Sequence, residues 1–521
     1  MKAWFHQKWG RLFLPFFLAL IGFFITSFIV QQRFAYNFTG TPDQAINFRY
    51  SEIFRDTNQL KYREELNEKY NTYAFGIRGS YYTSDRFLTH GSFHGFIIYL
   101  GLLRKISDGL LPFANPLLNF FSVFFFFQIS RFFFSERKSV FTTLLFLSSA
   151  PFLFYGTSFL HTPGIILCFL GMFFFFLRWI QSSPSKKKDM YFLGWIVFFW
   201  LGFWIRIDFL FPTLLLITLF FREVWENRKL LSRKTIFVSL IFSGVFLSLY
   251  LFVSNASYGS PFGYFSPGTS LSFSPKIVQN SQTPLEKIVG FFFSSNLIVL
   301  LENLRQNLLF ISPILSIFFI SSFFIRKKNR ILFRCSILFL GTVFFYFSHP
   351  WSSYGMEKIT LSGAPLRYIM VVWCLFILIA TDTLWKVIPK KIFAEGIIIL
   401  ICVIHFCLAW FSYMGIEYQI WLKDWTQNVV QKRALETPED AIFLTSQYDK
   451  FIFPYRKTYI YTSLAKDDDR YCRVPHELLQ DGYDLYIETT GKEYETFLKQ
   501  CNLKIDTDWP KVFEKIILPP S

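Results

Sequence analysis

Charge is scarce in this sequence: 17% of its 521 residues are charged, against 52% that are hydrophobic. That balance excludes an ordinary soluble globular protein of this length. No internal repeat period is present either, which argues against a solenoid or a transporter of two related halves. Acidic residues are the scarcer sign, with 36 Asp and Glu against 53 Lys and Arg. Histidine and cysteine number seven each and show no tight ligand spacing, which argues against a zinc site. Cys168, Cys335, Cys374, Cys402 and Cys407 lie in apolar runs and read as inert packing residues. Cys472 and Cys501 lie in a polar tail, where an extracytoplasmic setting would let them pair if their geometry permits it.

Apolar length, by contrast, is abundant. The chain holds 72 Phe, and residues 12–30, 236–253, 309–325 and 396–414 are runs long enough to cross a bilayer. The first has a core too long for a signal peptide and no small-residue cleavage site after it, so it reads as an uncleaved span. Positive charge is gathered in short clusters between the runs: Arg131 with Arg137 and Lys138; residues 186–188; Arg228, Lys229, Arg233 and Lys234; residues 326–328 with Arg330; and Lys386 with Lys390 and Lys391. This is the positive-inside pattern of cytoplasmic loops. Membrane lipids are therefore the expected surroundings, and no nucleic acid partner is expected despite the net charge of +17.

Lys2, Lys8 and Arg11 place the N-terminus in the cytoplasm, so the first span leaves the bilayer at about Val30. A long polar segment, 31–109, follows. Ile46, Tyr50, Ile53 and Phe54, then Leu60, Leu66 and Tyr70, recur at helical spacing and predict amphipathic helix on the membrane surface. Residues 93–103 are apolar but short. Were they to span, nearly every basic cluster would fall outside, so they are expected to lie at the interface or re-enter. Spans are then predicted at 12–30, 111–130, 139–157, 162–180, 190–205, 208–221, 235–254, 306–325, 331–348, 366–385 and 392–412. The expected fold is a polytopic all-α membrane domain, 1–415, with about eleven transmembrane helices and interfacial helices in the first outer loop. A small extracytoplasmic α/β domain, 416–521, completes it, with strands at 441–445, 458–462, 483–488 and 512–518 and a helix at 492–500.

This parity gathers the polar groups with chemical potential on the outer face. They are Asp43 and Gln44 in Thr41-Pro42-Asp43-Gln44; Arg78, Asp85, Arg86, His90 and His94; His161; Arg206 and Asp208; and Trp351, Tyr354, Glu357, Lys358, Arg367 and Tyr368 in the late loop. Charge at membrane depth is costly and tends to be functional. A carboxylate among cations suits chemistry on a phosphorylated lipid, the carboxylate taking a proton from an acceptor hydroxyl and the cations stabilising a departing phosphate. Each group also has a structural reading. Asp43 follows Pro at a helix start, Arg206 and Asp208 form a local ion pair, Arg367 snorkels, and the histidines are hydrogen-bonded packing residues.

The arrangement resembles the GT-C glycosyltransferases that use polyprenyl-phosphate sugars, relatives of which include protein O-mannosyltransferases and lipid A aminoarabinose transferases. That family carries an acidic residue just past its first span, the place of Asp43 here; it often has Glu next, where this chain has Gln44. Trp204-Ile205-Arg206-Ile207-Asp208 with Phe211-Pro212 resembles the family's short outer turn, Tyr258-Gly259-Ser260-Pro261 its Gly-Ser-Pro segment, and Gly363-Ala364-Pro365-Leu366-Arg367-Tyr368 the end of its late outer loop. The resemblance implies an inverting transfer from a polyprenyl-phosphate-linked sugar to a hydroxyl of a lipid, glycan or protein, in a bacterial inner membrane with the C-terminal domain periplasmic. Asp43 would be the base. Arg367, Lys358, Arg206 and Arg86 would bind the donor phosphate, and Gln44, Asp85, His90, His161, Tyr354, Glu357 and Tyr368 would line the substrate cavity. No metal ligand or cofactor is assigned, and a divalent cation stays open. Alternative readings are an O-antigen polymerase or ligase, a transporter, and a noncatalytic scaffold.

Overall fold

A computed structural model describes residues 2–33, 41–78, 80–83, 85–91, 94–183, 186–259, 296–325, 329–348, 361, 364–412, 414–446, 448–490, 492–506 and 512–517. The chain divides into two compact units. One comprises Met1–Arg33, Gly109–Phe252 and Leu271–Tyr418; the other comprises Phe34–Asp108, Val253–Ser270 and Gln419–Ser521.

Among the described residues, seven helices are long and apolar enough to cross a membrane, and nine spans result if each of two bent pairs counts as one. The bends have a sequence cause. Pro151 opens Ala150–Gly156, set at 57° to Glu136–Ser148, and Pro313 opens Pro313–Ser321, set at 109° to Leu297–Phe310. Proline has no N–H to continue the preceding helix and clashes with its last turn. The two other expected spans, 208–221 and 366–385, are also helical but in shorter pieces, Ile207–Leu219 in one case and Ala364–Ile369 with Trp373–Val387 in the other. Helix Arg233–Tyr258 has only 6% of its most apolar window buried and exposes Phe237, Leu240 and Phe252, which only a hydrocarbon solvent tolerates on this scale.

The basic loops join one another in pairs. Arg137 binds Glu395 at 2.6 Å, Lys138 lies 5.0 Å from the Trp385 ring centre, and Arg334 binds Glu223 at 2.6 Å. Lys188 donates to the carbonyl of Ser182 at 2.8 Å and to the side chain of Asn227. Loops that the charge rule assigns to one side of the membrane therefore meet at one end of the helices, and span ends carrying Arg33, His161, Arg206 and Arg367 are left at the other.

In the second unit, helix α1 (Pro42–Thr57) packs on helix α2 (His94–Ile106). Ile46, Tyr50 and Ile53 meet Ile97 in one core, and Gly101 lets the helices approach, since a Cβ there would lie 2.6 Å from the Phe54 ring. Helix α2 has 13 residues. At 1.5 Å per residue it is about 20 Å long, short of the ~30 Å hydrocarbon core, in keeping with a non-spanning role. The helix expected through Leu60, Leu66 and Tyr70 is mostly absent. Asn58 adopts φ 57° and ends α1, after which strand β1 (Lys61–Tyr62) pairs with β3 (Leu88–His90), itself paired with β2 (Ser80–Tyr82); only Glu65–Lys69 is helical.

The tail forms a five-stranded sheet in the order β5-β4-β6-β8-β7, from β4 (Ile442–Thr445), β5 (Lys457–Ile460), β6 (Leu485–Glu488), β7 (Lys504–Asp506) and β8 (Phe513–Ile517). β4 runs parallel to β5 and β6, and β8 antiparallel to β6 and β7. The four expected strands and the helix Glu493–Gln500 are present; β7 and helix Arg470–Gln480 are additional. That helix buries Tyr471, Val474, Pro475 and Leu478, a regular i, i+3, i+4, i+7 face hidden among polar residues. Cys472 and Cys501 form a disulfide across 29 residues, worth about 3–4 kcal/mol as chain entropy removed from the unfolded state.

The segment after the first span and the tail share one core. Leu66, Tyr70, Ala74 and Phe75 pack with Leu444, Tyr459, Ile487 and Phe497. The backbone joins as well: Ile460 N donates to Ala74 O at 2.8 Å and Gly76 N to Thr458 O at 3.2 Å, so residues 74–76 cover the free edge of β5.

Candidate active site

In the membrane unit, Arg206 ends helix Lys186–Ile205 in an extended conformation (φ −153°), and a 3-10 turn at Ile207–Phe209 brings Asp208 back beside it. Arg206 Nε donates to Asp208 Oδ1 at 2.8 Å, Arg206 Nη2 donates to Oδ2, and both residues are buried, at 2% and 5% exposure. Tyr346 Oη, from a neighbouring span end, donates to Asp208 Oδ2 at 2.8 Å. The Tyr346 and Tyr368 rings stack at 5.7 Å, with the Arg206 guanidinium 4.6 Å from the Tyr368 ring centre. Arg367 is part-buried and donates to Tyr368 Oη at 3.2 Å.

Two further groups extend this cluster. His161 is buried and within electrostatic reach of Arg206 and Arg367. Tyr155 is within reach of Arg367, Tyr368 and Arg33. Arg33, at the end of the first span, is 1% exposed and donates to Phe154 O at 2.8 Å and to Thr157 Oγ1 at 3.0 Å. Six helices and the Ile207–Phe209 turn thus bring three guanidinium groups, three tyrosines, a histidine and a carboxylate together. Guanidinium groups held by rings and carbonyls are preorganised forks for phosphate oxygens, although Arg206 already gives Nε and Nη2 to Asp208. Arg33, Tyr155 and Tyr346 were not singled out from sequence. Their one signal is position, a polar or amphipathic residue within about a turn of a span end away from the basic loops.

In the second unit, Thr41 caps α1. Its hydroxyl accepts from Gln44 N at 3.3 Å, and Gln44 Oε1 accepts from Thr41 N at 3.0 Å. This capping box gives Gln44 a structural task that its amide oxygen can perform as well as a carboxylate. Asp43 stands part-buried in the first turn, where the positive end of the helix dipole favours its anion.

No protein-family model matches the sequence, and no curated protein matches it. Among solved structures, ArnT from Cupriavidus metallidurans is similar over 98% of both chains at 10% identity, with TM-scores of 0.51 for the apo state and 0.53 for the form bound to undecaprenyl phosphate. Its fold is that of ArnT. The archaeal oligosaccharyltransferase AglB from Archaeoglobus fulgidus, in complex with an inhibitory peptide and a dolichol-phosphate, aligns at TM-score 0.44 and 11% identity over 93% of this chain and 71% of its own.

On this ArnT fold the remaining sequence candidates fall in separate places. Asp85 and Arg86 are exposed at the tip of the β2–β3 hairpin, Arg86 with φ 62° and Asp85 3.9 Å from Lys61. His90 is buried, 3.0 Å from the His94 ring nitrogen, its carbonyl accepting from Tyr258 Oη at 2.9 Å. Burial, with the facing His90, holds the His94 imidazole well below the usual histidine range. Trp351, Tyr354, Glu357 and Lys358 lie outside the described residues. Among the described residues no group of three or more His, Cys, Asp or Glu side chains is placed to hold a metal ion, so no residue is assigned to a cation.

Arg78 joins the tail. Its backbone N and Nε donate to the fully buried Asp449 at 2.8 and 2.7 Å. Next to this pair, burial and then the Arg78 charge bring the Lys450 amine down to about 8 from an ordinary 10.5. The unfolded chain therefore binds more protons between about pH 8 and 10.5, and stability of this unit should rise with pH across that window. Below the window the full penalty applies. Lys450→Met is expected to stabilise the protein at pH 7 by about 1–2 kcal/mol and to flatten that rise in thermal unfolding scans. An unchanged slope in the variant would assign the effect to another group.

Proposed function

We propose that this protein is an integral membrane glycosyltransferase that moves a sugar from a polyprenyl-phosphate donor to a hydroxyl acceptor at the outer face of a bacterial inner membrane. The observation carrying this reading is the likeness to ArnT along 98% of both chains, in a structure whose ligand is undecaprenyl phosphate. The arginine cluster at the ends of the spans supports it, because it gathers three guanidinium groups at the depth where a lipid headgroup lies. The disulfide supports an extracytoplasmic tail.

In this reading Asp43 accepts the proton of the acceptor hydroxyl, whose oxygen attacks the anomeric carbon. The bond from that carbon to the phosphate oxygen breaks, and polyprenyl phosphate departs with its electron pair onto Arg206 and Arg367, with Lys358 and Arg86 as further candidates. Attack opposite the leaving group inverts the anomeric centre. No second carboxyl group is needed as a general acid, since the phosphate leaves as a stable anion. Membrane vesicles containing the protein and supplied with radiolabelled polyprenyl-phosphate sugar should transfer label to an endogenous acceptor with inverted configuration. Label that stays on the donor across a panel of common sugars would sink the proposal.

A further inference from the structure

The segment after the first span and the tail line an open cavity of about 320 Å³, every lining residue of which belongs to the second unit. That volume is at the lower end of the range for ordinary ligand pockets, about 300–1,000 Å³. It is separate from the arginine cluster, and its lining has a different chemistry.

Three cations line it, and each is already engaged. Arg49 binds Glu52 at 2.8 Å and lies 5.5 Å from the Tyr62 ring centre. Lys457 binds Glu64 at 3.3 Å. Arg456 donates to the carbonyls of Thr437 and Tyr455 at 2.6 and 2.8 Å. An anionic ligand would have to compete with these partners for the same cations. What the cavity offers beside them is hydroxyl-binding oxygen and aromatic surface: the carboxylate of Glu439 and the second oxygen of Glu64, whose Oε1 accepts from Lys457, with the part-buried rings of Tyr62 and Tyr455. Carboxylates only accept hydrogen bonds, and a tyrosine presents an apolar face beside a polar tip. A neutral sugar ring is complementary to that pair, with hydroxyl donors around its rim and C–H groups on its faces.

Position connects the cavity with the chemistry proposed above. Arg49 lies on α1 six residues after Asp43, about 9 Å along the helix axis. We propose that this cavity is a saccharide-binding site that holds a neutral sugar segment of the acceptor. Its assignment to the acceptor rests on the transferase reading; its saccharide chemistry does not.

The full-length protein in a sugar-free detergent, lauryldimethylamine oxide, can be titrated calorimetrically with lactose, maltose and chitobiose, and separately with sodium phosphate. At least one disaccharide should bind saturably, and Glu439→Gln and Tyr62→Ala should each weaken it by about fivefold or more. Glu439 is exposed, so its variant keeps the test valid if Tyr62→Ala misfolds. Absence of saturable binding by all three sugars overturns the proposal, as does phosphate binding that Arg49→Gln abolishes. In the vesicle assay, Glu439→Gln should raise the acceptor KM more than it lowers kcat. Disaccharide binding in a protein that transfers no sugar would fail the transferase reading alone, whereas transfer without disaccharide binding would fail the cavity alone.

Discussion

Asp43→Asn is expected to lower kcat for sugar transfer by about 10²–10⁴-fold, the contribution of a positioned general base, with little change in affinity for the lipid donor. The structural alternative has a calculable ceiling. Asp43 lies in the first turn of α1, and Thr41 already caps that turn with Gln44. Removing one charge from a helix N-terminus costs about 0.3–1 kcal/mol, too little to unfold the protein or to account for a hundredfold loss. Measuring kcat with thermal unfolding on the same preparation separates the two. A variant that keeps activity within tenfold of the unmodified protein rules Asp43 out as the base, whatever its melting temperature. Asp43→Glu, with the carboxylate displaced by one methylene, should fall between the two.

Asp208→Asn should destabilise the membrane unit by about 3–5 kcal/mol, because it leaves the Arg206 guanidinium buried without the carboxylate that accepts both of its forks. Tyr346 Oη would lose its charged acceptor as well. Removing both charges, in Arg206→Gln with Asp208→Asn, should recover much of that stability, since two neutral amides replace an uncompensated ion. Tryptophan fluorescence during thermal unfolding in detergent reads the first effect, and the vesicle assay reads function. If Arg206 receives the donor phosphate, the double variant regains stability and stays inactive. Recovery of transfer along with stability would reduce the pair to a helix-end clasp. A single variant as stable as the parent would show that Asp208 is not the ion that neutralises Arg206.

Much of the architecture was legible because a bilayer imposes a simple rule. Apolar length and basic clusters place the helices, keep 93–103 from being a full span, as the 13-residue α2 bears out, and leave His161, Arg206 and Arg367 at span ends away from the basic loops. The alternating pattern also located four strands of the tail. Less was legible where periodicity is weak. Leu60, Leu66 and Tyr70 fit a helix by spacing, yet a left-handed Asn58 ends α1 and the chain turns into a β-sheet. Helix Arg470–Gln480 was obscured by its charged residues and Pro475, although its buried face is regular.

The amino-acid order alone determined that this is a many-span membrane protein with its basic clusters in the loops between spans, because hydrophobic length and loop charge are local quantities that need no partner. Tertiary structure decided which of those groups meet. Arg33, Tyr155, Tyr346 and Tyr368 come from span ends far apart in sequence and join Arg206 only through helix packing. Arg78 fastened to Asp449, a partner 371 residues away that its own sequence neighbourhood does not reveal, whereas His90 met His94 and Gln44 met Thr41 within four residues. The segment after the first span and the tail likewise share a core because the exposed edge of β5 needed pairing, a requirement that exists only once the sheet has formed.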